Sequence, residues 1–230
     1  MDFRVRNAHE RRWPVPSEAV AALLDTLGAG ERDLVWPSRH WAPLRLDRPL
    51  AVGARGGHGA VRYRVAEYEP GGGRVVFAFE PEGALSGFNG WHMFEAAPDR
   101  DGSVLRHLVV ARADLRTALR WCLLVKPIHD AAIEDALDEV ERHLMGTIRQ
   151  PAQWSSYVCW LRRRRGLTIS KKAGANRGPW RAELDSTKKT AGNLAVAGRA
   201  SASGLHRKET HSGIQRKGVP WPASILTGDV

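Results

Sequence analysis

Residues 115–145 have the sequence LRTALRWCLLVKPIHDAAIEDALDEVERHLM, and the prediction of the fold starts from them. Counted from His129, apolar residues recur at offsets of four, seven, eleven and fifteen, the spacing that places side chains on one face of an α-helix. The opposite face is acidic. We predict a long amphipathic helix whose apolar face packs against the strands upstream of it. The apolar face consists of Ile133, Ala136, Val140 and Leu144, and the acidic face of Glu134, Asp135, Asp138 and Glu141.

Pro127 divides this stretch. It lacks the N–H that a helix interior uses, and its ring pushes Lys126 toward extended geometry. Two arrangements fit the sequence: one helix kinked at Pro127, or a helix that begins there after a separate segment of residues 115–125. Because the run ALRWCLLV is apolar on nearly every side, we predict that this segment is buried in both cases.

Four strands are predicted upstream of the long helix, because apolar and polar residues alternate in four runs that turn sequences separate. Tight connections favour antiparallel pairing of these strands. A further strand is predicted at residues 2–13, followed by a short helix from Ser17 and an irregular connection at residues 31–50. The resulting fold class is α+β, with an antiparallel sheet on one side of the helices. The four runs are residues 59–70, 74–83, 87–96 and 103–113.

The charge of the chain changes sharply near residue 150. Residues 1–150 contain 20 Lys and Arg against 21 Asp and Glu, whereas residues 151–230 contain 15 against 4, so the net charge of +10 belongs to the second part. We predict a domain over residues 1–147, a short basic and aromatic segment able to form a helix over 148–165, and a disordered tail over 166–230. Only two cysteines are present, and no signal-like or membrane-length apolar run occurs, which predicts a soluble, cytoplasmic protein.

The basic segment has two interpretations. Residues 151–165 combine Trp154, Tyr157 and Trp160 with four consecutive arginines, a composition that can bind an anionic membrane surface or nucleic acid. The same segment could instead pack back on the domain as a short helix, with its arginines in solvent. Any nucleic-acid or membrane partner is therefore assigned to this basic tail, and the oligomeric state is left open.

Three pieces of sequence resemble a known superfamily. They are GFNGWHMFEAAP at residues 87–98, GSVLRHLVVARA at 102–113 and KPIHDAAIEDALDEVERHL at 126–144. Together they resemble two strands and the closing helix of polyketide cyclase-like members of the START-like, or SRPBCC, superfamily. The resemblance covers residues 2–146 and implies the helix-grip fold, a curved antiparallel sheet around a long C-terminal helix. It also implies a small hydrophobic or aromatic ligand between sheet and helix, or a polyketide cyclase or aromatase activity as the enzyme alternative.

The strands and the helix together supply the predicted cavity residues. Each of three histidines there could orient a polar ligand group or act as a general acid or base, or could be a hydrogen-bonded interior group without a catalytic role. The candidates for catalysis are His92, His107 and His129. No spacing among these histidines is typical of metal ligands, so we expect neither a metal nor a cofactor. The predicted ligand-binding residues are Tyr63, Phe77, Phe79, His92, Phe94, His107 and His129.

The remaining expectations concern the edges of the cavity. Arg106 and His107 point to opposite faces of one strand, so only one of them can face the ligand. His40 and Trp41 are candidates for the rim, and the glycine-rich residues 53–60 are predicted to form a mobile hairpin loop that carries His58. Asp130 and Glu134, four residues apart, are predicted to lie on a solvated helix surface.

Overall fold

The structure, a computed structural model, describes residues 2–83 and 87–164. The tail that the sequence predicts to be disordered, residues 166–230, lies outside the described residues. The elements in chain order are β1 (Phe3–Trp13), α1 (Ser17–Leu24), β2 (Arg45–Leu46), β3 (Arg55–His58), β4 (Val61–Tyr68), β5 (Arg74–Gly83), β6 (Phe88–Asp99), β7 (Gly102–Ala113), α2 (Leu115–Arg120), α3 (Lys126–Met145) and α4 (Ser156–Arg164).

The strands form a single antiparallel sheet in the order β1-β7-β6-β5-β4-β3-β2. Each of the four predicted strands is present, and in the first three the alternation predicted the inner face correctly, because Tyr63, Phe77 and Phe94 are all fully buried. Irregular register between β4 and β5 bends the sheet. The predicted α+β arrangement of a curved antiparallel sheet around a long helix is confirmed.

Pro127 is accommodated by a wider helical turn. The long helix α3 begins at Lys126, next to Pro127, as the second predicted arrangement had it. The separate segment before it is helical as well, and its residues Trp121–Val125 form a single π-helical turn between α2 and α3. The carbonyl of Leu123, four residues before Pro127, receives no proline N–H and accepts a hydrogen bond of 2.7 Å from the Tyr157 hydroxyl. The segment is also less buried than predicted, since Trp121 is buried but Leu119 is about half exposed.

The main core lies between the sheet and one face of α3. The predicted apolar face is confirmed, because Ile133, Ala136 and Val140 are at most 1% exposed. Helix α1 and the connection after it cover the other side of this core with Leu24 and Leu27. Among the helices of the described residues, none combines the length and the apolar character needed to span a bilayer.

Helix α4 packs on α3 and the connection rather than extending away from them. Its Val158 and Leu161 are buried, and the guanidinium of Arg162 lies about 4 Å from the ring centres of Trp41 and Trp154. The structure agrees with the second interpretation of this basic segment, in which a short helix packs back on the domain.

Candidate functional site

A cavity of about 280 Å³ lies between the inner face of the sheet and the long helix. Val61, Phe79, His92 and His107 line it from the sheet. The hairpin between β3 and β4 contributes the end of the cavity, and the connection after α1 contributes a third side. The hairpin residues are His58, Gly59 and Ala60, the connection residues are Trp36, Trp41 and Ala42, and the helical residues are Trp121, Val125, Ile128, His129, Ala132 and Ile133.

The three histidines predicted to share one interior do converge in this cavity. The rings of His107 and His129 have centroids 5.1 Å apart, and Nε2 of His107 lies 3.4 Å from Nδ1 of His92. His92 is stacked between Phe77 and Phe79, with ring centroids 4.9 and 5.2 Å away. The convergence follows from chain geometry, because neighbouring strands β6 and β7 place residues of equal phase on one face.

The other predicted cavity residues divide into two groups. Phe79 lines the cavity, whereas Tyr63, Phe77 and Phe94 do not line it and pack behind the histidine rings. All three are at most 1% exposed and pack directly against the imidazoles of His92 or His107. The choice between Arg106 and His107 is also settled: His107 faces inward, and Arg106 forms ion pairs with glutamates on the outer face of the sheet.

Trp36, His58 and Trp121 are cavity residues that sequence reasoning missed or placed elsewhere. His58 belongs to β3 rather than to a loop, and its ring lies 4.4 Å from that of Trp36. Trp121 precedes His129 by eight residues, about two helical turns, and its ring lies 5.4 Å from the His129 ring. Continuing the apolar stripe backward through Pro127 would have found Trp121. His40, a candidate for the rim, lies outside this cavity and contacts Trp154 edge-on.

Burial makes the imidazoles of the cavity neutral at pH 7. It lowers the pKa of His58 to about 3 and holds the pKa values of His92 and His107 well below the usual 6.5. The pKa of His129 is also lowered, first by burial, although Asp130 opposes the shift. A neutral imidazole offers one donor and one acceptor. Nδ1 of His107 and Nδ1 of His129 are buried and have no hydrogen-bond partner among the described residues.

A charged cluster joins β1 to the acidic face of α3 beside the cavity. Oδ1 of Asp130 lies 3.2 Å from Nε2 of His9, and Oε1 of Glu134 lies 2.7 Å from Nδ1 of the same ring. Next to them, Arg11 donates hydrogen bonds to Glu134, Asp138 and Glu141. The sequence predicted that Asp130 and Glu134 lie on a solvated helix surface. The structure differs, because residues on the inner face of β1 are cationic partners of both carboxylates.

The pKa of His9 is shifted by this cluster. Burial alone would lower it, but hydrogen bonds to Asp130 and Glu134 outweigh burial and raise the pKa to about 9. His9 is therefore a cation at pH 7. Its position in the cluster places a positive charge 6.2 Å from the His129 ring, measured between ring centroids.

Comparison with solved structures identifies the fold. No family model matches the chain, and no curated protein matches it. Norcoclaurine synthase from Thalictrum flavum, in complex with dopamine and hydroxybenzaldehyde, aligns with a TM-score of 0.50 and 12% identity over 65% of this chain and 91% of its own. A truncated form of the same enzyme gives a TM-score of 0.50 and 12% identity over 64% of this chain and 97% of its own.

Structural similarity at 12% sequence identity shows that two chains share a fold, but it does not show that they share an activity. The shared features are the curved antiparallel sheet and the long C-terminal helix that it encloses. The chain therefore has the helix-grip fold, as its strands and closing helix predicted.

Proposed function

We propose that the chain binds a small aromatic molecule in the cavity between the sheet and the long helix. The observation that carries this proposal is an internal space of about 280 Å³ with aromatic side chains on several sides and neutral imidazoles as its polar groups. Ligand sites in proteins typically have this composition, mostly apolar with a few placed hydrogen-bonding groups.

The volume limits the size of the ligand. An engineered apolar cavity of about 150 Å³ accommodates benzene. A space roughly twice as large, with Trp36, Phe79 and Trp121 on its walls, fits a molecule of one or two rings. Flat ligands are favoured because they can lie against aromatic side chains in offset or edge-on contact.

The polar groups limit the charge of the ligand. Nδ1 of His107 is buried without a hydrogen-bond partner among the described residues, so a ligand hydroxyl or carbonyl would satisfy a group that is otherwise costly to bury. A fully charged ligand would lose its hydration and gain only neutral imidazoles in return. The norcoclaurine synthase that shares the fold was solved with dopamine and hydroxybenzaldehyde, two small aromatic molecules, which supports this choice of class.

A displacement assay on the full chain tests the proposal. The neutral fluorophore N-phenyl-1-naphthylamine serves as the probe, and naphthol, naphthalene and a long-chain fatty acid serve as competitors. We expect the probe to bind saturably, and we expect naphthol to displace it at lower concentration than naphthalene does, because only naphthol can form a hydrogen bond with an imidazole. Absence of saturable binding, or displacement by the fatty acid alone, would contradict the proposal.

Two matched variants locate the binding in the cavity. Ala132 lines the cavity and is 5% exposed, so Ala132→Phe fills space that the ligand needs. Ala51 is exposed and lies outside the cavity, so Ala51→Phe makes the same chemical change without this effect. The first variant should weaken probe binding at least tenfold, and the second should leave it unchanged. Equal affinities in both variants would place the probe elsewhere.

A further inference from the structure

We propose that His129 is a general base in the cavity, coupled to solvent by Asp130, His9 and Glu134, and that it removes an acidic C–H proton from a bound aromatic molecule. This inference rests on the proposed function, because the molecule must first bind in the cavity. Asp130 and His9 are positioning residues in this scheme, and His129 is the residue that contacts the substrate.

A series of polar groups connects the cavity with the surface through one wider contact and two hydrogen bonds. Nδ1 of His129 lies 3.7 Å from Oδ1 of Asp130, the same oxygen lies 3.2 Å from Nε2 of His9, and Nδ1 of His9 lies 2.7 Å from Oε1 of Glu134. The Glu134 side chain is 40% exposed, whereas that of His129 is 15% exposed and lines the cavity. Because His9 is already a cation, a proton leaves His129 by relay: Asp130 accepts it, and His9 passes one of its own protons to Glu134 and takes one from Asp130.

The surroundings distinguish His129 from the other cavity histidines. His92 is stacked between two phenylalanine rings and contacts His107, and His58 packs against Trp36. Among the four, only His129 forms a contact with a carboxylate among the described residues. A base that becomes a cation during proton transfer is stabilised by such a carboxylate, and the carboxylate also orients the ring. With Nδ1 next to Asp130, Nε2 of His129 is the nitrogen left for the substrate.

The charges around His129 keep it in the unprotonated form that a base requires. Lys126 and Asp130 face it from its own helix, His9 from β1, His107 from β7, and His58 from β3. Burial lowers the pKa of His129 most, Asp130 opposes this shift, and the cations His9 and Lys126 add to it. His129 is therefore neutral at pH 7 and is next to a carboxylate that accommodates its protonated form.

The proposed step needs no other reactant when the substrate carries its own leaving group. In 5-nitrobenzisoxazole, Nε2 of His129 takes the proton from C3, the C–H electrons form the nitrile, and the N–O bond breaks to give a phenolate. The proton then passes from His129 to solvent by way of Asp130, and the neutral imidazole is restored. This bicyclic molecule contains two fused rings, the size class that the cavity fits, and its product absorbs visible light.

The experiment measures both binding and turnover of 5-nitrobenzisoxazole by the full chain. We expect it to displace N-phenyl-1-naphthylamine and to be converted faster than by free imidazole at equal concentration. His129→Gln should reduce turnover at least about 100-fold, the low end of the range for a general base, with little change in probe affinity. His143→Gln, on an exposed histidine of the same helix, should leave turnover unchanged and is the matched control.

Rate–pH profiles test the positioning residues in opposite directions. Activity is lost as pH falls through the pKa of the base. Asp130→Asn removes the group that raises this pKa and should move the loss of activity to lower pH, whereas His9→Gln removes a neighbouring cation and should move it to higher pH. Simple structural damage would not shift the two profiles in opposite senses. Thermal melts confirm that each variant is folded, and His129→Asn provides a second test of the base should His129→Gln fail to fold.

The outcomes separate this inference from the proposed function. If 5-nitrobenzisoxazole fails to bind and no saturable probe binding is found, the proposed function itself fails and the inference falls with it. If the compound binds but is not turned over faster than by imidazole, the binding proposal stands and the base is refuted. Turnover that survives both substitutions of His129, or shifts of the two pH profiles in one direction, would also overturn the assignment.

Discussion

Replacing Arg11 with methionine tests the charged contact between β1 and the long helix. The guanidinium donates hydrogen bonds of 2.6 Å to Asp138 and 3.0 Å to both Glu134 and Glu141. The Asp138 and Glu141 side chains are only 9% and 4% exposed, so water cannot replace the guanidinium well. Methionine keeps the aliphatic part of the side chain but leaves buried carboxylates without their main cation.

The size of the effect follows from the partners that remain. Removing one member of a buried ion pair typically costs about 3–5 kcal/mol. Arg149 still donates to Glu141 and the backbone N–H of Ala152 to Asp138, and Arg11 itself retains 19% exposure, so the lower end applies. A loss of about 3 kcal/mol corresponds to a fall of roughly 6–12 °C in melting temperature for a chain of this length.

The effect should also depend on pH with a defined sign. Burial would raise the pKa of Glu141, but hydrogen bonds from Arg149 and Arg11 outweigh it and hold the pKa below its usual value. A carboxyl group with a lowered pKa stabilises the fold above its unfolded pKa, and that stability is lost as pH falls through the folded pKa. The difference between wild type and Arg11→Met should therefore be largest near pH 7 and shrink toward pH 4.

Urea unfolding and thermal melts of the full chain measure this difference. Arg12→Met is the matched control, because Arg12 is the next residue, points to the outer face and pairs with Glu10 and Asp99 at 54% exposure. We expect it to leave the melting temperature nearly unchanged, since exposed ion pairs contribute little. A loss in Arg11→Met no larger than in Arg12→Met, or one that grows as pH falls, would refute the reasoning.

Three further predictions follow from single contacts. Burial would lower the pKa of His9, but Asp130 and Glu134 outweigh burial and raise this pKa to about 9. The ion pairs of His9 therefore stabilise the fold fully below about pH 6.5, the pKa of an unfolded histidine, and this stabilisation is lost as the pH rises through 9. His9→Gln should abolish that pH dependence in urea titrations, and its persistence would contradict the assignment. Tyr157→Phe removes the hydrogen bond to Leu123 and should cost about 1 kcal/mol, measured as a shift in urea midpoint; an unchanged midpoint would show that the bond is not needed. Arg162→Met removes the guanidinium from the face of Trp41 and should change tryptophan fluorescence and weaken probe binding in the cavity, whereas an unchanged spectrum and affinity would speak against this role.

The strand faces and the long helix were predictable because both depend on local periodicity. A period of two put Phe77, Phe94 and His107 on one side of the sheet, and a period near 3.6 put Ile133 and Val140 on one side of the helix. These patterns arise from backbone geometry alone, so they can be recognised without knowing which residues meet. The convergence of three histidines followed from the same patterns.

The charged cluster was not predictable in this way. His9 and Arg11 lie on the inner face of β1, but their acidic partners are more than 120 residues later in the chain. From the sequence, Asp130 and Glu134 are indistinguishable from a solvated helix surface, because nothing local indicates that β1 will pair with β7 and lie against α3. Trp36 was missed for a related reason, since the stretch that contains it has no period and does not show which side faces the core.

Residue spacing along single elements was enough to predict the α+β class, the inward faces of most strands and the apolar face of the closing helix. The folded structure was needed to show that a π-helical turn precedes Pro127, that His129 packs against His107 of β7, and that α4 packs on α3. These features depend on contacts between residues far apart in the chain. Such contacts form only when the whole sheet has curved around the helix, and this long-range packing sets the burial, pairing and charge of each side chain.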